Sequence, residues 1–388
     1  MDFLIVSERV TDDPTEAMMI GRIRRYTSTF ENSRPFLVIG GKAHDSQWRS
    51  IGPISRAHYG VVGRQGVPEF IAHLAYFASL IFVGAKLAKR KPSIQFVTHP
   101  YAHYTLGAIA VVLAKITGRK AIVRVGSSIS ELLTRSGIRY KIVYSILLGF
   151  ERFAFEQADA IATGSPRPLE QQQYRTKCFY IPYFMEGKLE PNPHARRASN
   201  FVLFVGRLEP EKGISILMDA VKLLLERGRE ANFTIVGAGS LQGKLRDELE
   251  SRGLQGHVKM TGYLTHSKVL RMMHRATLLV LPSLIDYNPN VVIEAAFSEL
   301  PVVATYTGGI PYLIEHRRTG ILVRPMDPHA LANAIEELLL DSVLRKKIAF
   351  EARKSIARRF SPKRAKQATR KLTNYVFAPK TPSADLDS

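Results

Sequence analysis

The sequence predicts an α/β protein built from two doubly wound parallel-sheet domains. Three observations carry that expectation. Short continuous apolar runs, the kind buried on both faces of a parallel sheet, recur along the chain and alternate with helical stretches of about 10–15 residues. The run FVLFV (201–205) ends in Gly206-Arg207, at the carboxyl end of a predicted parallel strand, where open α/β sheets bind their ligands. A stretch rich in proline and charge, EGKLEPNPHARRAS (186–199), interrupts the alternation and reads as an interdomain linker. The expected division is an N-terminal domain over 1–185, the linker over 186–199 and a C-terminal domain over 200–360. A C-terminal helix over 361–377 is expected to pack back on the first domain, ahead of a disordered tail over 378–388.

In the N-terminal half the candidate strands are DFLIV (2–6), RPFLVIG (34–40), SIQFVTH (93–99), KAIVRVG (120–126), DAIATG (159–164) and KCFYIP (177–182). Helical patterns fill the intervals at 15–29, 68–88, 103–117, 138–157 and 166–173. Of these, EFIAHLAYFASLIFVGAKL (69–87) is the most apolar. A buried domain helix is the first reading, a membrane-contacting face the second, and a span is marginal given His73, Ser79 and the short length.

The C-terminal half opens with FVLFVGRLEPEKG (201–213). The apolar strand ends in Gly206-Arg207, and Lys212-Gly213 lead into the helix ISILMDAVKLLLERG (214–228). Arg207 as a planar fork and Lys212 as a mobile point charge can reach a diphosphate from two sides of one loop. NFTIVGAGSLQGKL (232–245), HVKMTGYL (257–264) and THSKVLRMMHRA (265–276) continue the alternation. GAGSLQG (237–243) is one residue out of step with the dinucleotide fingerprint, and no acid ends the following strand, so NAD or FAD chemistry is not expected.

PSLIDYNPNVVIEAAFSELPVVAT (282–305) is the most informative segment. A buried-looking strand, LLVLP (278–282), leads into Asp286, then a Pro-opened helix carrying Glu294, then the apolar PVVAT (301–305). Asn288 is expected as the N-cap and Pro289 as the first helical residue, with the amides of Asn290 and Val291 presented to an anion by the helix end. TYTGGIPYLI (305–314) and TGILVRPMDPHALANAIEELL (319–339) complete the pattern.

These two segments resemble the retaining glycosyltransferases of the GT-B fold, specifically glycosyltransferase family 4, in which a VGRLxxxKG loop and an acid-x7-acid segment serve the donor. The resemblance implies two Rossmann-like domains facing across a cleft, the first binding acceptor and the second a nucleoside-diphosphate sugar. It implies that Arg207 and Lys212 bind phosphate and stabilise the leaving group, that Glu294 binds ribose, and that Asn290 and Val291 offer amides to the phosphates. Asp286 stands at the first acid, usually Glu, beside the sugar. Gly206 belongs to the phosphate loop, and the position of Tyr263 lies against the nucleobase. The N-terminal half departs from the pattern in three places. Ser7-Glu8-Arg9 replaces a Gly-rich loop, Arg124-Val125-Gly126-Ser127-Ser128 lacks the usual His, and Tyr183-Phe184 replaces Asn-Gly after Ile181-Pro182. His99, His103, Arg124 and Gly126 are candidates for sugar or acceptor contacts, with a structural salt bridge an equal reading for Arg124. The implied reaction needs no cofactor and no metal; a lipid-linked or envelope-polysaccharide glycan is the acceptor expected from the basic patches of the chain. A catalytically silent or epimerase-type sugar-nucleotide-binding protein is the alternative.

Bulk composition agrees with a two-domain enzyme in a reducing, cytoplasmic setting: 45% of 388 residues are hydrophobic and Cys178 is the one cysteine. Apart from Asp385-x-Asp387 in the tail, no Asp-x-Asp occurs, which argues against a metal-dependent GT-A transferase. The formal charge is +21, and residues 345–372 alone hold 12 Lys or Arg against Glu351. Such density suits an anionic membrane surface on the inner leaflet. Nucleic acid is the rival partner and is not expected, because no recognised binding motif appears and the basic clusters lack interleaved aromatics.

Overall fold

The computed structural model describes residues 2–7, 34–41, 48–51, 54–61, 94–98, 104–125, 141–164, 172–183 and 199–377, with Ile81, Ala85 and Lys89. The chain divides into two compact units, one of Met1–Pro182 with Pro362–Ser388 and the other of Tyr183–Ser361.

The first unit holds an eight-stranded sheet in the order β3-β4-β2-β1-β5-β6-β7-β8. Its strands are β1 (Asp2–Ser7), β2 (Arg34–Gly41), β3 (Trp48–Ile51), β4 (Ile54–Val61), β5 (Ile94–Thr98), β6 (Ala121–Val125), β7 (Ala160–Thr163) and β8 (Cys178–Tyr180). All neighbours pair in parallel except β3 with β4. That antiparallel pair at the sheet edge was not expected, because neither segment forms a continuous apolar run. Helices α1 (Tyr104–Thr117) and α2 (Lys141–Gln157) pack on this sheet through Val111, Leu113, Ala154 and Phe155, against Val123 and Ile161. A 3-10 turn, Gln172–Lys177, precedes β8 where the helix over 166–173 was expected to end. The expected helix over 15–29 lies outside the described residues. The last helix of the chain, Pro362–Phe377, belongs to this unit and buries Leu372 and Val376 against Ile122, Ala160, Ala162 and Ile181.

The second unit holds a six-stranded sheet, entirely parallel, in the order β11-β10-β9-β12-β13-β14. The strands are β9 (Phe201–Val205), β10 (Asn232–Val236), β11 (Val258–Gly262), β12 (Leu278–Leu281), β13 (Val302–Thr305) and β14 (Ile321–Val323). The chain builds outward from β9 through β10 to β11, then returns to the other side of β9 with β12. Adjacent loops after β9 and β12 therefore leave the sheet in opposite directions. That reversal opens a crevice at the strand carboxyl ends, where doubly wound sheets hold their ligands.

The apolar runs account for the core. Val202, Leu203 and Phe204 of β9 and all four residues of β12 are buried, as central strands covered on both faces must be. Helix α3 (Ile214–Glu226) turns Leu217, Met218, Val221 and Leu224 onto them. Helices α4 (Gln242–Ser251) and α5 (His266–Arg275) follow, then α6 (Asn290–Phe297), the four-residue α7 (Ile310–Leu313), α8 (Pro328–Leu340) and α9 (Ser342–Arg359). Asp327 caps α8 by accepting from the Ala330 amide at 2.8 Å, and Pro328 occupies the first turn, where its missing N–H leaves nothing unpaired.

The β9 loop and the β12 loop meet backbone to backbone. Gly213 has φ 64°, and a Cβ there would lie 2.0 Å from the Pro282 carbonyl oxygen. No side chain fits that space, and left-handed backbone disfavours one independently. Gly213→Ala is expected to lower stability by about 2 kcal/mol or more, read as a lower urea midpoint with an unchanged slope. A midpoint equal to that of the parent protein would show that the two loops can separate without penalty.

Candidate functional site

The crevice at the β9/β12 reversal is built from loops locked to one another by main-chain bonds. The amides of Leu284 and Ile285 donate to the Glu211 carbonyl at 2.8 and 3.2 Å, which docks the β12 loop on the β9 loop. On its far side the Gly309 amide donates to the Asp286 carbonyl at 2.8 Å, and the Thr307 hydroxyl to the Leu284 carbonyl at 2.9 Å. A Cβ on Gly308 would stand 2.0 Å from the Asp286 carbonyl oxygen, and one on Gly309 would stand 1.8 Å from that of Tyr287. Asp286 is thus fixed from both sides before its carboxylate makes any contact.

That carboxylate meets Lys212. The Nζ–Oδ2 distance is 2.5 Å, and the side chains are only 15% and 11% exposed. The pair ties the β9 loop to the β12 loop at the point where the strand order reverses. Arg207, on the same loop as Lys212, is 69% exposed and pairs with Glu211 at 2.7 Å. Gly206 donates its amide to the Val236 carbonyl at 3.0 Å, and Gly237 packs so closely that its Cβ would lie 1.8 Å from the Gly206 oxygen. Glu209 accepts from the Ser240 hydroxyl at 2.5 Å and from the Ser240 amide at 3.1 Å. Those two bonds hold its carboxyl below the usual carboxylate range. A lowered carboxyl contributes stability above its unfolded value, so this tie persists at neutral pH and is lost only as pH falls through the lowered range.

Helix α6 begins one residue later than the sequence suggests. Pro289, with φ −71° and ψ 94°, is the cap, and Asn290 is the first helical residue. Asn288 does not cap the helix, and no side chain does. The amides of Asn290 and Val291 still occupy the first turn, where no intrahelical carbonyl can reach them. Asn290 also holds a buried Oδ1 without a hydrogen-bond partner among the described residues. Glu294, 9% exposed, accepts from the Tyr183 hydroxyl at 3.0 Å and sits 3.2 Å from His266 Nε2. Tyr183 is the residue that replaces Asn after Ile181-Pro182, and His266 opens α5. Neither contact was expected, although the His in GYLTHS, just beyond a strand carboxyl end, is a signal that could have been read.

The structure therefore joins Lys212 with Asp286, keeps Gly206 and Arg207 on the same loop, and puts Asn290 and Val291 in the first turn of α6 with Glu294 in its second. Tyr263 follows β11 beside Gly262 and is 41% exposed. Arg124 lies near the end of β6 in the first unit, in register with Ala162 and half-buried. His99, His103 and Gly126 lie outside the described residues. Cys178 is buried in the first unit and its thiol is pushed up to about 11 by burial, which removes it as a nucleophile at neutral pH. Among the described residues, no three His, Cys, Asp or Glu side chains converge as a metal-ligand set.

Comparison with known proteins bears on both halves of the fold. Residues 188–355 match the family of glycosyl transferases group 1. Alpha-D-kanosaminyltransferase of Streptomyces kanamyceticus is 36% identical over 160 residues, which is 41% of this chain and 42% of that protein. 2-Deoxystreptamine N-acetyl-D-glucosaminyltransferase of Niallia circulans is 28% identical over 161 residues, 42% of this chain and 41% of that protein. The chain thus spans about two-fifths of the length of the curated relatives it matches. Among solved structures, sucrose-phosphate synthase of Thermosynechococcus elongatus aligns over 97% of this chain and 99% of its own, with TM-score 0.78 and 18% identity. Anabaena HepE, solved in complex with UDP-glucose, aligns over 96% of this chain and 100% of its own, with TM-score 0.71 and 19% identity. At such identities the likeness is one of fold, and that fold is GT-B. The match to glycosyl transferases group 1, residues 188–355, spans the segment that carries the reversal crevice.

Proposed function

We propose that this chain moves a sugar from a nucleoside-diphosphate sugar to a hydroxyl acceptor with retention of anomeric configuration. The observation that supports this most strongly is the Lys212–Asp286 pair at the reversal crevice, on the loop that leads into α6, the helix that carries Glu294. A cation, a carboxylate and first-turn amides in one place suit a ligand that bears both phosphates and hydroxyls. The fold neighbour HepE was solved in complex with a compound of this class, UDP-glucose.

Each residue then has a task. Lys212 and Arg207 hold the diphosphate and neutralise the charge that builds on it as the C1–oxygen bond breaks. The amides of Asn290 and Val291 add fixed dipoles at the same anion, and stabilisation of this type needs no reorganisation during the reaction. Asp286 accepts hydrogen bonds from the sugar, and Glu294 accepts them from the ribose. The orphaned Asn290 Oδ1 adds an acceptor at the mouth. The acceptor hydroxyl attacks C1 from the face the leaving group vacates, and its proton passes to the departing phosphate oxygen. In this scheme no metal takes part. The proposed acceptor is a glycan, lipid-linked or part of an envelope polymer.

Lys212 pairs with Asp286, and Arg207 with Glu211. A bound diphosphate would take over both cations, leaving Asp286 free to face the sugar. Lys212→Ala or Arg207→Ala is expected to lower kcat by roughly 10²–10³ while leaving the fold intact, measured with the donor that gives the largest thermal shift in a nucleotide-sugar panel. Glu294→Ala is expected to raise the Kd for nucleoside diphosphate by roughly tenfold, with a smaller effect on kcat. His266→Ala and Tyr183→Phe should give a milder loss of the same kind, since each removes one of the groups that orient that carboxylate. Parent kinetics in all of these variants would contradict the assignment.

A further inference from the structure

We infer that the outer face of α9 is a docking surface for an anionic lipid bilayer. The 18-residue helix buries Ile348, Ala349, Ala352 and Ile356 on one side. Val343, Lys346, Lys347, Phe350, Lys354 and Arg358 recur at three- and four-residue spacing on the opposite side, and all are exposed. Along the helix that face runs for about 22 Å.

Two properties separate it from an ordinary solvated surface. The first concerns charge. The helix carries seven basic residues, and three of them turn inward. Arg345 donates to the Leu338 and Leu339 carbonyls, Arg353 to that of Phe297, and Arg359 to that of Tyr312. The four cations of the outer face make no ion pair among the described residues. The one acid within the helix, Glu351, is engaged by Arg318 at 3.7 Å. A surface held together by internal salt bridges would interleave acids here, and this one has none.

The second property is apolar exposure within the same stripe. Val343 is 75% and Phe350 62% exposed, and Leu340, at the end of α8, is 63% exposed. Large apolar side chains set among lysines match an interface whose headgroups are anionic and whose acyl boundary lies a few ångströms deeper. Lysine stems add to the fit by lying along the apolar boundary with the ammonium held outward. A nucleic-acid groove offers phosphate to the cations and nothing to the Val343–Phe350 side. Both partners would answer to charge, and only the bilayer answers to the apolar residues.

The test uses the full chain and vesicles of phosphatidylcholine with phosphatidylglycerol, against vesicles of phosphatidylcholine alone. Co-sedimentation is expected with the anionic vesicles only. Lys347→Glu with Lys354→Glu should weaken it roughly 25-fold or more, because each basic side chain near such a surface contributes about fivefold. Val343→Ser with Phe350→Ser should weaken it roughly tenfold at unchanged charge. Lys244→Glu with Arg246→Glu makes the same change in net charge on α4, which exposes no large apolar side chain, and should retain most of the binding. Phe350→Trp should shift its emission to shorter wavelength on anionic vesicles. The inference is overturned if the α4 pair loses as much binding as the α9 pair, or if the serine variant binds like the parent. It is equally overturned if Phe350→Trp emission does not move, or if the face binds a short RNA duplex and no vesicle.

Discussion

Main-chain contact at the carboxyl ends of β9, β10, β12 and β13 is the constraint on which the second domain depends. Gly213 touches the Pro282 carbonyl, Gly237 that of Gly206, Gly239 that of Leu208, and Gly308 and Gly309 those of Asp286 and Tyr287. At each of these points a single Cβ would fall inside the radius of a carbonyl oxygen. Interiors packed to crystalline density have no slack with which to absorb that. The loops are consequently one body, and the side chains proposed to bind donor hang from it at fixed positions. Lys212 reaches Asp286 because the Glu211 carbonyl already holds the backbone of Leu284 and Ile285.

The ion pair that results is not explained by stability alone. Removing two charges from water is expensive, and well-packed apolar residues of similar size often hold a fold as well or better. The Lys212–Asp286 pair, 15% and 11% exposed, is such a pair, held at the strand-order reversal. Glu294 follows the same logic. It is a nearly buried carboxylate in the second turn of α6, and its partners are a tyrosine and a histidine far away in sequence.

Much of this was legible in the sequence because it is local. FVLFV and LLVL are too apolar for anything except central strands, and the residues just beyond them inherit the strand ends by adjacency. Pro289 marked the helix start to within one residue. The distinction between Asn288 and Pro289 as the cap was lost because it depends on the ψ of one residue, which composition does not report. Contacts made across long separations were not legible. Tyr183 stands 111 residues from Glu294 in the chain, and nothing in Ile181-Pro182-Tyr183 announces a carboxylate partner. The β3–β4 pair was missed for a different reason: edge strands need only one covered neighbour, so their sequences lack the apolar run that identifies an interior strand. The glycines of Thr307-Gly308-Gly309 were visible as a loop, while the carbonyls they make room for became apparent only with the fold.

The inward-turned arginines of α9 have a consequence for how the chain meets charged partners. Arg345, Arg353 and Arg359 seat their guanidinium groups on the carboxyl-terminal carbonyls of α8, α6 and α7 respectively, so one helix closes the ends of three others. A guanidinium bound to carbonyl dipoles keeps its full positive charge. Beyond the screening distance of roughly 8 Å in physiological salt the field of such groups fades, and within it they still draw an anion closer. One nitrogen of each is committed to those carbonyls, which anchors the group inward. Attraction and grip are therefore assigned to different side chains of a single helix, the first shared by every cation on it and the second left to the lysines and Arg358 that face outward.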